Sequence, residues 1–86
     1  MKIQVFGTGC PKCKELENRV RAAAAALSIP ADIVKVTDVK AIMAAGVMMT
    51  PAVGIDGKIV TTGKLPSIPE LSSIITTHLA KMEAGG

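Results

Sequence analysis

GTGCPKC, at residues 7–13, is the stretch around which this chain of 86 residues is organised. Residues 2–6 before it, KIQVF, are rich in β-forming side chains, and the apolar positions after it recur at helical spacing. Cys10 and Cys13 are the only cysteines in the sequence. In the first turn of a helix their spacing places both side chains on one face, about 5–6 Å apart, within the range that a disulfide tolerates. We therefore predict a pair of thiols at a strand-to-helix junction that exchanges electrons with other thiols.

Length and composition indicate one small domain, residues 1–86, with a flexible tail at 83–86. Phe6 is the one aromatic residue, so the core must consist of aliphatic side chains and methionine. The net charge of +3 comes without a basic stripe or stacking aromatics, which argues against nucleic acid as a partner. No apolar run approaches the ~18 residues of a membrane span, and no apolar signal segment is visible. We expect a cytoplasmic protein, without membrane insertion, whose paired cysteines serve redox or metal chemistry.

The periodicity and turn signals predict the element order β-α-β-α-β-β-α. The first strand, a helix running to about Leu27 and a second strand form a βαβ unit with parallel strands. Asp56-Gly57 between two β-forming runs predicts a type I′ hairpin, hence an antiparallel pair, and Ser67 with Glu70 forms a capping box before the last helix. The predicted strands are 2–6, 31–36, 52–55 and 58–62, and the predicted helices 11–27, 39–46 and 68–82. An α/β domain with helices on both faces of a mixed sheet follows.

The two thiols are expected to differ in reactivity. Cys10 lies at the helix N-terminus, where backbone N–H groups and the helix dipole stabilise an anion, and Lys12 and Lys14 add positive charge. Cys13 lies one turn further, on the apolar stripe that continues with Leu16, and should be more buried and less ionised. This asymmetry predicts that Cys10 attacks a disulfide and that Cys13 resolves the mixed disulfide. The alternative is that both cysteines are unreactive core residues. The position of the motif between a strand and a helix argues against it.

A soft-metal site is the rival interpretation of the same pair. Two thiolates can hold Cu(I) or form half of a zinc site. The sequence has no second CxxC, and its single histidine, His78, lies far along the last helix. One chain therefore does not offer four clustered zinc ligands, and we expect neither a bound metal nor a cofactor. A Cu(I)- or arsenite-binding module stays the alternative function.

Several other residues have two interpretations each. Pro51 could merely mark the start of a strand, but beside the cysteines a cis Thr50–Pro51 bond would turn the Thr50 backbone toward a bound peptide. His78 lies on the apolar stripe of the last helix, which favours a packed or edge histidine over a functional one. Three methionines could form a contact surface around the site or bind a soft metal, but core and loop packing is favoured for them: Met43, Met48 and Met49.

These features resemble the thioredoxin-like superfamily and, more narrowly, its small archaeal and bacterial redox-active disulfide proteins. The resemblance rests on GTGCPKC after the first strand, Thr50-Pro51 before the third and the Asp56-Gly57 hairpin, and it covers nearly the whole chain. It implies a minimal thioredoxin-like fold with a four-stranded mixed sheet in the order 2-1-3-4. It also implies a nucleophile, Cys10, a resolving thiol, Cys13, and a cis-proline, Pro51. The expected substrate-binding residues are Pro11, Lys12, Thr50 and Pro51.

The sequence also departs from thioredoxin. Gly9 takes the place of an aromatic residue before the first cysteine, and Gln4, which cannot accept a proton, takes that of a buried acid. The proline after Cys10 is more similar to glutaredoxin, whose glutathione-binding residues are not recognisable here. Ferredoxin-like copper chaperones share the CxxC position but end on a strand, whereas this chain is predicted to end on a helix. We predict a thiol–disulfide oxidoreductase whose partners are a substrate protein or small-molecule disulfide and a thioredoxin-reductase-like electron donor.

Overall fold

Strands and helices follow one another in the predicted order in the computed structural model, which describes residues 1–85. The strands are β1 (Lys2–Phe6), β2 (Asp32–Val36), β3 (Ala52–Ile55) and β4 (Lys58–Thr62). The helices are α1 (Pro11–Ala26), α2 (Val39–Ala44) and α3 (Ile68–Gly85). The flexible tail proposed for 83–86 stays a prediction: α3 continues through Gly85, and Gly86 lies outside the described residues. None of the helices in residues 1–85 is both long and apolar enough to cross a membrane.

The sheet places β1 in its interior. The strand order is β2-β1-β3-β4. β1 pairs in parallel with β2 and antiparallel with β3, and β3 pairs antiparallel with β4. The segment at 7–13 therefore leaves the sheet from the end of a central strand, which lies between β2 and β3. This arrangement confirms the predicted α/β class, the order 2-1-3-4 and the minimal thioredoxin-like fold.

Alternate residues of β1 and β3 point to opposite faces of the sheet and build two cores. The larger core lies under α1 and α3 and the smaller one under α2, so helices cover both faces as expected. The larger core consists of Ile3, Val5, Leu16, Val20, Ala23, Val53, Ile55, Leu71 and Ile75. The smaller core consists of Phe6, Ile42, Val47 and Ala52. Gly54 leaves room for the aromatic ring of Phe6, because a Cβ at this position would lie 3.1 Å from a ring carbon.

The local signals in the sequence are realised at the turns and caps. Asp56 and Gly57 have φ values of 49° and 88°, as a type I′ turn requires. The Glu70 N–H donates to Ser67 Oγ at 3.2 Å, and the Ser67 N–H donates to Glu70 Oε1 at 3.3 Å, which confirms the capping box. α1 ends one residue before the predicted Leu27, because Ser28 at φ 53° leaves the helical conformation.

Candidate redox site

Cys10 and Cys13 lie at the start of α1, just beyond the end of β1, and both are free thiols. Cys10 is the N-cap, with extended backbone angles of φ −68° and ψ 163°, and Pro11 follows as the first helical residue. The Cys13 backbone N–H donates a hydrogen bond to Cys10 Sγ at 3.3 Å. The sulfur thus occupies the position in which a capping serine or aspartate would present an oxygen. Cys10 is partly exposed, whereas Cys13 is only 5% exposed.

The pKa values of the two thiols shift in opposite directions. Hydrogen bonds from the Cys13 side chain and then from the Cys13 backbone N–H lower the pKa of Cys10. Burial, followed by the hydrogen bond to Cys10, raises the pKa of Cys13. The predicted difference is present. Backbone N–H groups at the helix start lower the pKa of Cys10 as predicted, but the Cys13 side chain is the largest cause, and burial is the largest cause that raises the pKa of Cys13. Lys12 and Lys14 are exposed, and solvent weakens the effect of such charges.

Gly7 allows Cys13 to pack directly against the end of β1. Its N–H donates to the Val36 carbonyl at 3.0 Å, which continues the parallel pairing with β2 beyond the strand. A Cβ at Gly7 would lie 2.9 Å from Cys13 Cβ, well inside the usual separation of about 3.5–4.0 Å between nonbonded carbons. The position therefore requires glycine because of space, in addition to the close backbone approach expected from the sequence.

Thr50 and Pro51 reach the site end of the sheet through the pairing of β1 with β3. Phe6 pairs with Ala52, so Pro51 lies one residue beyond the pair, at the same end as Gly7. The Thr50–Pro51 peptide bond is cis, as predicted. Pro51 is buried and its carbonyl accepts a hydrogen bond from the Gly63 N–H at 2.8 Å, whereas Thr50 is exposed. Two segments distant in sequence are thus brought to one end of the sheet.

Sequence comparisons find relatives of this chain among known proteins. A family model described as "Thioredoxin domain" matches residues 1–76. A protein named thioredoxin from Methanocaldococcus jannaschii is 47% identical over 77 residues, which cover 90% of this chain and 88% of the relative. Another thioredoxin, from Methanothermobacter thermautotrophicus, is 36% identical over 76 residues, covering 88% of this chain and 99% of the relative. The chain belongs to the thioredoxin family. It is accordingly a thiol–disulfide oxidoreductase, and Cys10 and Cys13 fit the CxxC motif.

This thioredoxin-family site includes a small, partly open cavity beside Cys13 that sequence reasoning did not identify. The cavity has a volume of about 50 Å³, and its wall includes Cys13, Glu17 and Lys35. The Glu17 side chain is only 14% exposed, and its Oε2 accepts a hydrogen bond from Arg21 Nη2 at 2.8 Å. Lys35 Nζ lies 3.6 Å from Glu17 Oε1. One signal was available: Glu17 follows Cys13 by four positions and so shares its helix face.

The three methionines singled out from the sequence are exposed, so the expectation that they pack in the core is wrong, although Met49 does lie against Gly63 in a loop. The exposed fractions are 69% for Met43, 95% for Met48 and 63% for Met49. Ile42 and Val47 are the neighbours that enter the smaller core. Because a six-residue helix presents few side chains to the sheet, α2 needs only Ile42 to fill the space beneath it.

His78 and the possible metal ligands lie apart from the cysteines. His78 Nε2 lies 3.1 Å from Asp56 Oδ2, at the opposite end of the sheet, and its side chain is 16% exposed, as suits an edge histidine. Among residues 1–81, whose side chains the structure describes, no three side chains of histidine, cysteine, aspartate or glutamate gather into a group that could hold a metal ion. Among these residues, a metal bound at the CxxC motif would therefore have Cys10 and Cys13 as its ligands.

Proposed function

We propose that Cys10 is the nucleophile and Cys13 the resolving thiol of this thioredoxin-family oxidoreductase. The observation that carries the proposal is the 3.3 Å hydrogen bond from the Cys13 N–H to Cys10 Sγ at the helix N-cap. A donor of this kind stabilises the thiolate, which is the reactive form of a thiol. It acts on the more exposed sulfur, while burial raises the pKa of Cys13. Cys10 is therefore both the more ionised and the more accessible thiol.

The reaction proceeds in two exchanges. The Cys10 thiolate attacks one sulfur of a substrate disulfide; a Cys10–substrate bond forms, and the other substrate sulfur leaves as a thiolate. Cys13 then loses its proton and attacks Cys10 Sγ, so that the Cys10–Cys13 disulfide forms and the second substrate sulfur leaves. The substrate gains two electrons and, with two protons, becomes two thiols. A dithiol donor then returns the protein to its reduced state by the reverse exchanges.

Pro11, Lys12, Thr50 and Pro51 are proposed to contact the substrate. The first two follow Cys10 on exposed positions of α1, and the other two lie at the same end of the sheet. Thr50 is exposed beside the cis peptide bond, so its backbone groups are available to an extended substrate chain. The proposed partners are a substrate protein or small-molecule disulfide and a thioredoxin-reductase-like donor, in a reducing cytoplasm.

Trapping with single-cysteine variants tests the two roles. We expect Cys10→Ser to abolish disulfide exchange, because no accessible thiolate remains. Cys13→Ser should accumulate a mixed disulfide through Cys10, because no thiol is left to resolve it. Non-reducing electrophoresis with a disulfide-bonded test protein measures both outcomes, and circular dichroism shows whether each variant is folded. Equal trapping by the two folded variants would contradict the assignment.

The alternative, a soft-metal or metalloid binding module, uses the same two thiolates and is separated by a redox titration. Alkylation trapping in graded dithiol buffers, with and without Cu(I) or arsenite, measures the midpoint and the protection of both thiols. A single two-electron midpoint near that of thioredoxin, about −270 mV, supports a reductant. If the pair resists oxidation while arsenite or Cu(I) blocks alkylation tightly, metal binding replaces disulfide exchange as the function.

A further inference from the structure

The resolving step requires a proton to leave a buried sulfur. Cys13 is 5% exposed, and burial raises the pKa of its thiol. Cys13 must nevertheless become a thiolate at the moment it attacks Cys10 Sγ. The side chain of Gln4 in β1 is an amide, which cannot take up a proton near neutral pH. A different group is therefore needed if the proton is to leave Cys13 efficiently.

Glu17 is the carboxylate that lines the same partly open cavity as Cys13. Both residues line the cavity of about 50 Å³ behind the motif. They are four positions apart on α1, which places their Cβ atoms about 5–6 Å apart on one helix face. A cavity needs about 10–15 Å³ to admit a water molecule, so this one has room for water beside the two side chains. Lys35 and Thr37 add polar groups to the same wall.

We propose that Glu17 accepts the proton of Cys13 across this cavity, while Arg21 and Lys35 hold its carboxylate in place. This inference rests on the proposed role of Cys13 as the resolving thiol. Glu17 acts across the partly open cavity and forms no bond to substrate, so it is a positioning residue for the proton. No feature of the CxxC motif itself marks Glu17 for this role.

The electrostatic surroundings keep the Glu17 carboxylate ionised before the step and make it a weaker base than an isolated glutamate. The hydrogen bond from Arg21 is the largest cause that lowers the pKa of Glu17, and the charge of Lys35 acts in the same direction. The charged groups facing this space come from α1 (Lys14, Glu17) and β2 (Lys35), while the β1 side contributes the uncharged Val5 and Gly7. A carboxylate with a low pKa holds the proton only in passing and returns it to the solvent.

The bonds and protons of the step balance. The S–H bond of Cys13 breaks, and its proton passes to Glu17 and then to water. The Cys13 sulfur forms a bond to Cys10 Sγ, and the bond between Cys10 Sγ and the substrate sulfur breaks. The substrate sulfur leaves with the electron pair as a thiolate and takes a proton from the solvent. Glu17 ends the step as it began, as a carboxylate.

The reaction with 5,5′-dithiobis(2-nitrobenzoate) separates the two exchanges in one stopped-flow record. Attack by Cys10 releases a first thionitrobenzoate, and resolution by Cys13 releases a second. For Glu17→Gln we expect an unchanged first phase. The second phase should slow roughly 10- to 100-fold near neutral pH, which is at the lower end of the rate contribution usual for a positioned proton acceptor or below it. The second phase of this variant should also become steeper with pH, because hydroxide then removes the proton.

Two further variants serve as controls. Glu15→Gln removes another glutamate of α1 that pairs with an arginine four residues later, Arg19 at 2.9 Å, and leaves the cavity intact. Both phases of Glu15→Gln should match those of the unmodified protein. Glu17→Asp keeps a carboxylate and should recover part of the second phase, which also keeps the test decisive if Glu17→Gln folds poorly. Thermal melts of each variant show whether the fold is retained.

The outcomes distinguish the inference from the function on which it rests. If the unmodified protein shows both phases and folded Glu17→Gln shows the same second phase and pH profile, the role of Glu17 is wrong. An equal slowing in Glu15→Gln, or in the first phase of Glu17→Gln, would overturn it as well. If the unmodified protein releases only one thionitrobenzoate, or Cys10→Ser keeps the first phase, the proposed roles of the cysteines fail instead.

Discussion

The two ends of strand β1 both carry ionisable groups, but they use them differently. At the start of the strand, Asp56 Oδ1 accepts the Lys2 N–H at 2.8 Å, and Asp56 Oδ2 lies 3.1 Å from His78 Nε2. These contacts tie the β3–β4 turn to β1 and to α3. At the other end, Cys10 Sγ accepts a hydrogen bond from the Cys13 N–H and is partly open to solvent. At the first end the polar groups hydrogen-bond to one another, whereas at the second end a sulfur stays accessible to solvent.

A shifted pKa alone does not tell these two ends apart. The hydrogen bond from the Lys2 N–H lowers the pKa of Asp56, just as hydrogen bonds lower that of Cys10. The difference is that both oxygens of Asp56 have partners, while the cysteines form an unequal pair of one partly exposed and one buried residue. Perturbed groups mark functional sites only with a probability, because structural contacts perturb them too. The unequal pair is the better indicator of chemistry here.

The largest effect on the cysteine end is expected from Gly7→Ala. A methyl group at this position would lie 2.9 Å from Cys13 Cβ, so Cys13 or β1 must move. We expect a loss of about 1–3 kcal/mol in the free energy of unfolding, typical of overpacking, and a slower second thionitrobenzoate phase. Urea denaturation and stopped-flow absorbance measure the two effects.

Gly46→Ala is the control for this steric argument. Gly46 has φ +83°, and a methyl group on its Cα would meet no atom within 4 Å, so the substitution adds backbone strain without a clash. It should cost about 1–2 kcal/mol and leave both phases of thiol exchange unchanged. If Gly7→Ala also left the second phase unchanged, the packing of Cys13 on Gly7 would not matter for its reactivity.

The contribution of Asp56 to the other end of β1 is tested by Asp56→Asn. This substitution keeps a residue suited to the type I′ turn and removes the negative charge. Because the folded pKa of Asp56 is lowered, its carboxylate contributes stability above the unfolded pKa of about 3.9 and loses it as the pH falls through the folded value. The variant should therefore be less stable than the unmodified protein at neutral pH, and the difference should shrink on acidification.

Urea denaturation between neutral and acidic pH measures this difference. Asp32→Asn, at the exposed start of β2, removes an equal charge and serves as the control. The thiol phases should not change in either variant, because both substitutions lie away from the motif. A stability difference that stayed constant with pH would show that the Asp56 charge does not contribute through these contacts.

The smallest effect concerns the contact between the two cysteines. The Cys13 side chain is the largest cause that lowers the pKa of Cys10, so the Cys10 pKa should be higher in Cys13→Ala, which lacks a side-chain donor, than in Cys13→Ser, which keeps one. In both variants the backbone N–H at position 13 still donates, so the rise should be partial. The pH dependence of alkylation by iodoacetamide measures it; superimposable profiles would assign the lowering to the backbone alone.

The features that the sequence determined by itself are those set within a few residues. The turn at Asp56-Gly57, the box formed by Ser67 and Glu70, and the placing of Cys10 before a helix depend on local backbone preferences and short-range hydrogen bonds. The fold class followed as well, because the order of these local elements restricts the topology to few arrangements. The cis bond before Pro51 was predicted only because the topology placed this proline beside a CxxC motif.

Contacts between elements were decided by the tertiary structure alone. Lys35 of β2 lies 3.6 Å from Glu17 of α1, and His78 of α3 lies 3.1 Å from Asp56 of the β3–β4 turn, although each pair is far apart in sequence. Of the neighbours Val47 and Met48, the first is buried in the smaller core and the second is exposed, which the sequence did not distinguish. Helical periodicity shows which residues share a face, but not which partner that face meets. The physical reason is that such contacts depend on distances between segments far apart in sequence, which only the packed sheet and helices determine.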